Sequence, residues 1–304
     1  MITEAYKTLS HPGRKRQYDL KLTFGYTPAK PVRKPPPAGA RMYRTTKKTF
    51  TKKAKILGGI SVASILVVVL FTSVALLRYN ARYNFQRGIS HYENKKYSAA
   101  YFNMKQSLGL FNPYKAAAHL IMADICFHQQ ANPVLTQQHI DEALGSKPSD
   151  SIRAQLYYLQ GKLENDQEDF NSAYMSFEKA ASTRPLFDSA YYHLGELDSF
   201  VFKRYEQGLN HYKHLIEYNS QYFDAYLGAA YCQYQLGQFQ AAINTLDHSL
   251  DLRTDVGMCY YLKALSAQSL DLHEIACDNF KRATQLGVQK AQELQNVHCQ
   301  SYVN

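Results

Sequence analysis

From about residue 83 to residue 286, apolar positions recur at the three- and four-residue spacing of an amphipathic helix, and this pattern itself repeats. In the stretch "FQAAINTLDHSLDL" (239–252), Ala242, Leu246 and Ser249 share one helix face. Equivalent trios follow one another at steps of 34 to 37 residues. A period of this length predicts stacked helical units. The trios begin at Ala100, Thr136, Ala173, Gly208, Ala242 and Ala276.

A second ladder of small residues lies 12 or 13 residues ahead of the first. A small residue here lets the two helices of a hairpin approach closely. Pro113, Pro148 and Pro185 follow the second helices of the first three units, because a helix cannot continue through proline. The two ladders predict six hairpins in a domain of residues 83–300, with a capping helix at 288–298. The residues of the second ladder are Gly88, Ala123, Gly161, Gly195, Ala230 and Ala264.

The third unit, "YYLQGKLENDQEDFNSAYMSFEKAASTRP" (157–185), closely resembles the tetratricopeptide repeat. Two units depart from the family pattern: Thr136 replaces a small apolar residue, and the fourth unit has an extra residue near "SFVFKRY". The resemblance implies an all-α, right-handed α-solenoid of tetratricopeptide type. It also implies a concave wall that binds a protein or peptide partner. The matching residues are the paired aromatics, Gly161, Phe170, Ala173, Phe177, Ala180 and Pro185.

Several tyrosines fall on first helices at positions that are able to face this concave wall. Tyrosine is an amphipathic contact residue with few rotamers to immobilise, so a tyrosine-lined groove is a fair hypothesis. The alternative for each of them is a packing residue of its hairpin. The lysine, asparagine and arginine set that grips heat-shock chaperone tails is absent from the groove positions Phe85, Ile89, Tyr158, Lys162, Tyr192 and Glu196. The candidate contact residues are Tyr92, Tyr158, Tyr192, Tyr231, Tyr234 and Tyr261.

A different pattern precedes the repeats, because Ile56 to Leu77 is an apolar run of 22 residues without a charge. As a helix it is roughly 33 Å long, enough to cross a bilayer core. A buried soluble helix is the alternative, but buried helices of this length usually carry a polar stripe. Its position and length disfavour a cleaved signal peptide. The run predicts one transmembrane helix at residues 56–77.

Basic residues are unequally distributed around this run. The 15 residues before it contain seven Lys or Arg, and the 15 after it contain three. This difference favours a cytoplasmic amino terminus. We therefore predict a single-pass protein of the bacterial cytoplasmic (inner) membrane with the repeat domain outside. The lysines nearest the run are expected to bind anionic lipid headgroups, and they are Lys47, Lys48, Lys52, Lys53 and Lys55.

Residues 26–55 are predicted to form a Pro- and Lys-rich linker, since five of the ten prolines lie there and favour an extended spacer. A ligand for SH3-type domains is a weaker alternative. Residues 1–55 carry 15 Lys or Arg against two acidic residues, whereas residues 56–304 carry 20 against 23. The basicity is confined to the tail, so we expect no nucleic-acid partner.

The sequence shows little reactive chemistry. Its five cysteines form no CxxC pair and no Cys/His ligand set, so we interpret them as core or near-core residues rather than a zinc site or an obvious disulfide framework. His211, His214 and His248 lack a carboxylate or cysteine that would complete a metal site. No phosphate-binding loop, GxSxG or HExxH motif appears. We expect no enzymatic activity, no cofactor and no metal.

The segment "ITEAYKTLSHPGRKRQYDLKLTFG" (2–25) closely resembles the carboxy-terminal fragment of a J-domain, residues 1–25 being the end of its third helix and its fourth helix. In that family a His-Pro-Asp signature precedes the third helix, whereas His11-Pro12-Gly13 lies in the turn after it. Two short helices without partners bury little apolar area, so we expect weak order. The matching residues are Ala5, Tyr6, Leu9, Ser10, Pro12, Arg14, Lys15, Arg16, Tyr18 and Asp19.

The apolar run predicts a membrane anchor, and the two resemblances imply a protein–protein interaction module with a J-domain-derived, co-chaperone-like tail. A DnaK-type chaperone is an expected partner only if a complete J-domain with its His-Pro-Asp lies upstream of Met1. The alternative is an envelope assembly scaffold in which the J-like tail is vestigial and has no chaperone role.

Overall fold

The computed structural model describes residues 51–109, 112–129 and 132–299, together with Pro12, Lys15, Arg16, Asp19 and Thr23. The chain divides into two compact units, residues 1–62 and 63–304. In the first unit the five single residues are helical and exposed, and the Thr23 hydroxyl donates to the Asp19 carbonyl at 2.7 Å. The rest of the J-like fragment and of the predicted linker up to residue 50, including Lys47 and Lys48, lies outside the described residues.

The first helix, α1 (Lys52–Glu93), is continuous over 42 residues. It contains the predicted span at 56–77, and by length and composition it is apolar enough to cross a membrane. It begins at Lys52, so the last four residues of the predicted 26–55 linker are helical, among them Lys53 and Lys55. It also continues past residue 83 into the first hairpin. Extending a helix is far less costly than starting one, which explains the absence of a break between the span and the repeats.

Twelve further helices follow α1 and pair as hairpins, and the described residues contain no strand. Five hairpins are α3/α4, α5/α6, α7/α8, α9/α10 and α11/α12, and α13 packs on α12. Helices α1 and α2 form a further hairpin, in which Gly88 of α1 faces the Met104 side chain of α2. This confirms the predicted all-α array of six hairpins with a capping helix. The helices are α2 (Tyr97–Ser107), α3 (Lys115–His128), α4 (Pro133–Gly145), α5 (Asp150–Asp166), α6 (Phe170–Thr183), α7 (Asp188–Glu196) with a π-helix (Leu197–Val201), α8 (Tyr205–Tyr218), α9 (Phe223–Gln235), α10 (Phe239–Leu252), α11 (Gly257–Gln268), α12 (His273–Gln285) and α13 (Gln289–His298).

The two ladders meet inside each hairpin. A Cβ atom added to Gly161 would lie 2.7 Å from the Phe177 ring, and one added to Gly195 would lie 2.7 Å from the Tyr212 ring. The large middle residue of each trio therefore fills the space that the small residue leaves, which explains why the small positions recur. These middle residues are at most 1 % exposed, and they are Met104, Ile140, Phe177, Tyr212, Leu246 and Phe280.

The cysteines follow the sequence interpretation only in part. Cys126, Cys232 and Cys259 are fully buried core residues, as predicted. Cys277 of α12 and Cys299, which follows α13, form a disulfide with a Cα–Cα distance of 5.7 Å. This bond was not predicted from the sequence, because it forms only when α13 packs on α12 and brings together two residues that are 22 positions apart.

Candidate functional site

The first helices of the hairpins lie side by side because each hairpin stacks on the next, and together they form a concave face. Two separate depressions occupy this face. The amino-terminal groove, of about 330 Å³, lies between α1, α3 and α5 and includes Tyr92 and Tyr158. The carboxy-terminal groove, of about 600 Å³, lies between α7, α9 and α11 and includes Tyr192, Tyr231, Tyr234 and Tyr261. The structure thus divides the six candidate tyrosines into a pair and a set of four, and all six are half-buried.

Polar side chains of the amino-terminal groove are paired with one another. The Tyr92 hydroxyl donates to the Asp124 carboxylate. His128 Nε2 lies 3.5 Å from Asp124 Oδ1 and accepts from the Lys162 ammonium at 3.4 Å. The Lys162 nitrogen also stands 4.9 Å from the centre of the Phe127 ring, a cation–π distance. These groups already have partners, so a ligand would have to displace an existing contact to reach them.

The Tyr158 hydroxyl joins α5 to α7. It lies 3.2 Å from His193 Nε2, and His193 Nδ1 lies 2.8 Å from Glu196 Oε2. The arrangement fits a proton on Nδ1 that is donated to Glu196, which leaves Nε2 to accept from Tyr158. The Tyr158 ring packs against Phe187 at 5.1 Å, and burial raises the pKa of the phenol. The Tyr158 side chain therefore makes polar and packing contacts between two hairpins.

Two carboxylates mark one end of the carboxy-terminal groove. Burial, followed by the neighbouring Glu196 and Asp224 carboxylates, raises the pKa of Tyr192. Burial and then Asp224 raise the pKa of Tyr222, beside it, to about 12. The phenols there remain protonated at neutral pH and keep a hydrogen to donate. Negative charge is thus concentrated between α7 and α9.

Aromatic rings also line this groove. The Tyr231 ring stacks on Phe200 with centroids 4.7 Å apart, and Tyr234 packs against Phe239 at 5.6 Å. Tyr261 lies 6.3 Å from the buried Phe280 ring. Met258, which is 50 % exposed, completes an open apolar surface. Rings with one face packed and one face open suit contact with another apolar side chain.

Some lining residues of the carboxy-terminal groove were not anticipated from the sequence. Phe200 reaches the groove because it belongs to the π-helix, and the extra residue near "SFVFKRY" was the available signal. Asp224 and Met258 lie in the first turns of α9 and α11, and Lys290 lies on α13. These positions show no periodic pattern in the sequence that would distinguish them from other surface positions.

The histidines considered as metal ligands lie in different surroundings. His211 Nε2 lies 3.3 Å from Asp198 Oδ2, the His214 ring stacks on Tyr191, and His248 lies beside Tyr226. Within the part of the chain that the structure describes, no three His, Cys, Asp or Glu side chains come together as a metal site.

Comparison with known proteins identifies the fold. Residues 202–265 match the family model of the tetratricopeptide repeat. A solved structure of PilF from Pseudomonas aeruginosa is similar, with 18 % identity, a TM-score of 0.60 and coverage of 73 % of this chain and 99 % of that one. A search of the curated proteins gave no significant match.

Two other solved structures have the same fold. MamA has 19 % identity and a TM-score of 0.51 over 59 % of this chain and 95 % of that one. YrrB, described as a tetratricopeptide-repeat protein with an unusual peptide-binding site, has 17 % identity and a TM-score of 0.53 over 60 % and 92 %. The hairpins and the capping helix α13 therefore form an all-α tetratricopeptide-type solenoid, a fold whose concave surface is suited to protein–protein interaction.

Proposed function

We propose that this protein is a non-enzymatic, membrane-anchored interaction module that binds a peptide or protein partner in the carboxy-terminal groove. The main support for this proposal is that the groove is open and lined by aromatic and apolar side chains. An exposed apolar concavity of about 600 Å³ is typical of a binding site. The peptide-binding site of YrrB, a protein with this fold, supports the same proposal.

Site-specific photocrosslinking in the native membrane tests this proposal. A photoreactive phenylalanine analogue replaces Tyr234 or Met258 in the groove, and Val134 or Met175 on exposed second-helix surfaces serves as the matched control. The proposal expects one discrete crosslinked product from the groove positions and none from the control positions. Equal crosslinking at all four positions, or none at the groove, would contradict it.

We also propose that α1 anchors the protein in the bacterial inner membrane with the amino terminus in the cytoplasm and the repeats outside. The apolar helix and the excess of basic residues before it support this orientation. The Cys277–Cys299 disulfide supports it as well, because disulfides persist in oxidising compartments. In the same proposal, Lys47, Lys48, Lys52, Lys53 and Lys55 bind anionic headgroups of the cytoplasmic leaflet.

Protease treatment of intact spheroplasts tests the orientation. Digestion of the repeats from outside, together with protection of the first 50 residues, is the expected result. If the repeats were protected from the protease, the proposed orientation would be wrong.

A co-chaperone role is a second candidate, favoured by the J-domain-like order of residues 2–25. It requires a His-Pro-Asp loop ahead of Met1, whereas an envelope scaffold with a vestigial tail does not. The intact mass and the amino-terminal peptide of the protein from its own membranes separate the two. A His-Pro-Asp peptide before Met1 would support the co-chaperone, and a mass near 34.8 kDa starting at Met1 would leave the scaffold.

A further inference from the structure

The π-helix at Leu197–Val201 changes the wall of the carboxy-terminal groove. In the fourth unit the step from the small residue Gly195 to Gly208 is 13 positions, whereas the corresponding step is 12 in the third and fifth units. The extra residue is accommodated by a hydrogen bond from the Phe202 amide to the Leu197 carbonyl at 2.9 Å, five residues back. Phe200 is consequently 48 % exposed and lines the groove, where it stacks on Tyr231.

A buried carboxylate holds this π-helix in place. Asp198 is 0 % exposed and accepts from the Arg204 guanidinium at 2.6 and 2.7 Å, while His211 Nε2 lies 3.3 Å away. The Tyr174 hydroxyl donates to the same carboxylate at 3.4 Å, and the Arg204 amide donates to the Asp198 carbonyl at 2.7 Å. Phe200 is thus presented by a turn that is connected to α6 and α8. The aromatic wall is a fixed part of the groove.

Charged residues are unequally distributed along this groove. Glu196 and Asp224 lie at its α7/α9 end, and both add to the negative charge around Tyr192. Asp224 is exposed in the first turn of α9, and the Glu196 side chain stays 37 % exposed although one of its oxygens pairs with His193 Nδ1. The lining residue of opposite charge, Lys290, lies on α13 beyond α11. A ligand that lies across the aromatic wall therefore has a negative surface at one end, which is complementary to a basic side chain.

We propose that the carboxy-terminal groove binds an extended peptide segment of another protein in which a large apolar side chain, packed on Phe200 and Tyr231, is flanked by lysine or arginine facing Glu196 and Asp224. This inference rests on the proposed function and names the chemistry of its partner. The apolar side chain provides the contact area, and the basic residue provides direction and selectivity.

Fluorescence anisotropy with the full chain in detergent micelles tests this inference. The probes are labelled nonapeptides of glycine and serine with a central phenylalanine that is flanked on both sides by lysine, glutamine or glutamate. The lysine peptide is expected to bind about tenfold more tightly than the glutamate peptide, with the glutamine peptide between them. Asp224→Asn should reduce the difference in affinity between the lysine and glutamate peptides. Phe200→Ala should weaken the binding of all three peptides by about fivefold or more.

Matched controls distinguish groove effects from general ones. Phe102→Ala and Asp251→Asn replace exposed residues of α2 and α10 and should leave all affinities unchanged. A preference for the glutamate peptide, the absence of a charge preference, or wild-type affinity in Phe200→Ala would overturn the inference. If no peptide binds while Tyr234 and Met258 still crosslink, the inference fails and the proposed function stands. If both measurements are negative, both proposals fail.

Discussion

The two grooves use equivalent positions of the same repeated helix and differ in what occupies them. One residue after the small ladder position stand Asp124, Lys162 and Glu196 in the second to fourth units, but Tyr231 and Leu265 in the fifth and sixth. The first two pair with neighbouring polar groups of the amino-terminal groove, whereas the last two leave an open apolar surface. At this position the second and third units therefore carry polar groups that are paired within the array, whereas the fifth and sixth units carry side chains that are available to a partner.

The largest expected effect concerns the outer end of the carboxy-terminal groove. Replacing both cysteines in Cys277→Ala/Cys299→Ala should destabilise α12 and α13 by about 3 kcal/mol, because the bond closes a loop of about 22 residues. Hydrogen exchange of these two helices in the full chain measures the loss, with α3 and α4 as the internal control. Unchanged protection of α13 would show that packing alone fixes the capping helix.

The next largest effect is expected when the buried Asp198 carboxylate beneath the aromatic wall is replaced. Asp198→Ala removes an acceptor shared by Arg204, His211 and Tyr174, and should lower the free energy of unfolding by about 2 kcal/mol. The exposed Asp224→Ala should change it by less than about 0.5 kcal/mol. Chemical denaturation of the two variants makes the comparison. Equal effects would mean that the π-helix does not depend on this carboxylate.

A comparable effect is expected from acid on the amino-terminal half. His119 and His139 are buried with their Nδ1 atoms 3.2 Å apart. Burial, and then His139, lowers the pKa of His119 to about 4, and burial also lowers the pKa of His139. Because the unfolded chain binds more protons between about pH 4 and pH 6.5, stability is complete above this range and is lost as the pH falls through it.

Lowering the pH from 7 to 5 should therefore reduce the free energy of unfolding of the α3/α4 hairpin by roughly 2 kcal/mol. Thermal unfolding at both pH values measures it. His139→Gln should reduce the pH dependence, while His248→Gln, an exposed histidine, should not change it. An identical pH dependence in all three proteins would exclude the histidine pair as its cause.

The smallest expected effect is the difference in stability between a substitution of Tyr158 in the amino-terminal groove and one of Tyr231 in the carboxy-terminal groove. Tyr158→Phe removes the hydroxyl contact to His193 and should cost about 1 kcal/mol of stability, with little effect on peptide binding. Tyr231→Phe keeps the ring that stacks on Phe200 and should leave stability within about 0.5 kcal/mol. Thermal unfolding of both variants checks the difference. The reverse order would mean that the two grooves have been assigned the wrong roles.

Much of the fold was predictable because its signals are local. The small and large ladder positions predicted each hairpin, and the structure places Gly161 against Phe177 and Gly195 against Tyr212. The binding site was less predictable. All six tyrosines lie on first helices, but side chains from neighbouring hairpins decide their contacts. The Tyr92 hydroxyl reaches a carboxylate, whereas the Tyr231 ring stacks on Phe200 beside the groove.

The sequence by itself determined the helices, their pairing and the apolar run, because helical periodicity and small-residue spacing act over a few turns. Only the tertiary structure decided that Cys277 meets Cys299, that His119 meets His139 and that Phe200 stacks on Tyr231. These partners lie 20 or more residues apart and meet only after the hairpins have stacked. Their contacts depend on the exact approach of two helices, which no local pattern specifies.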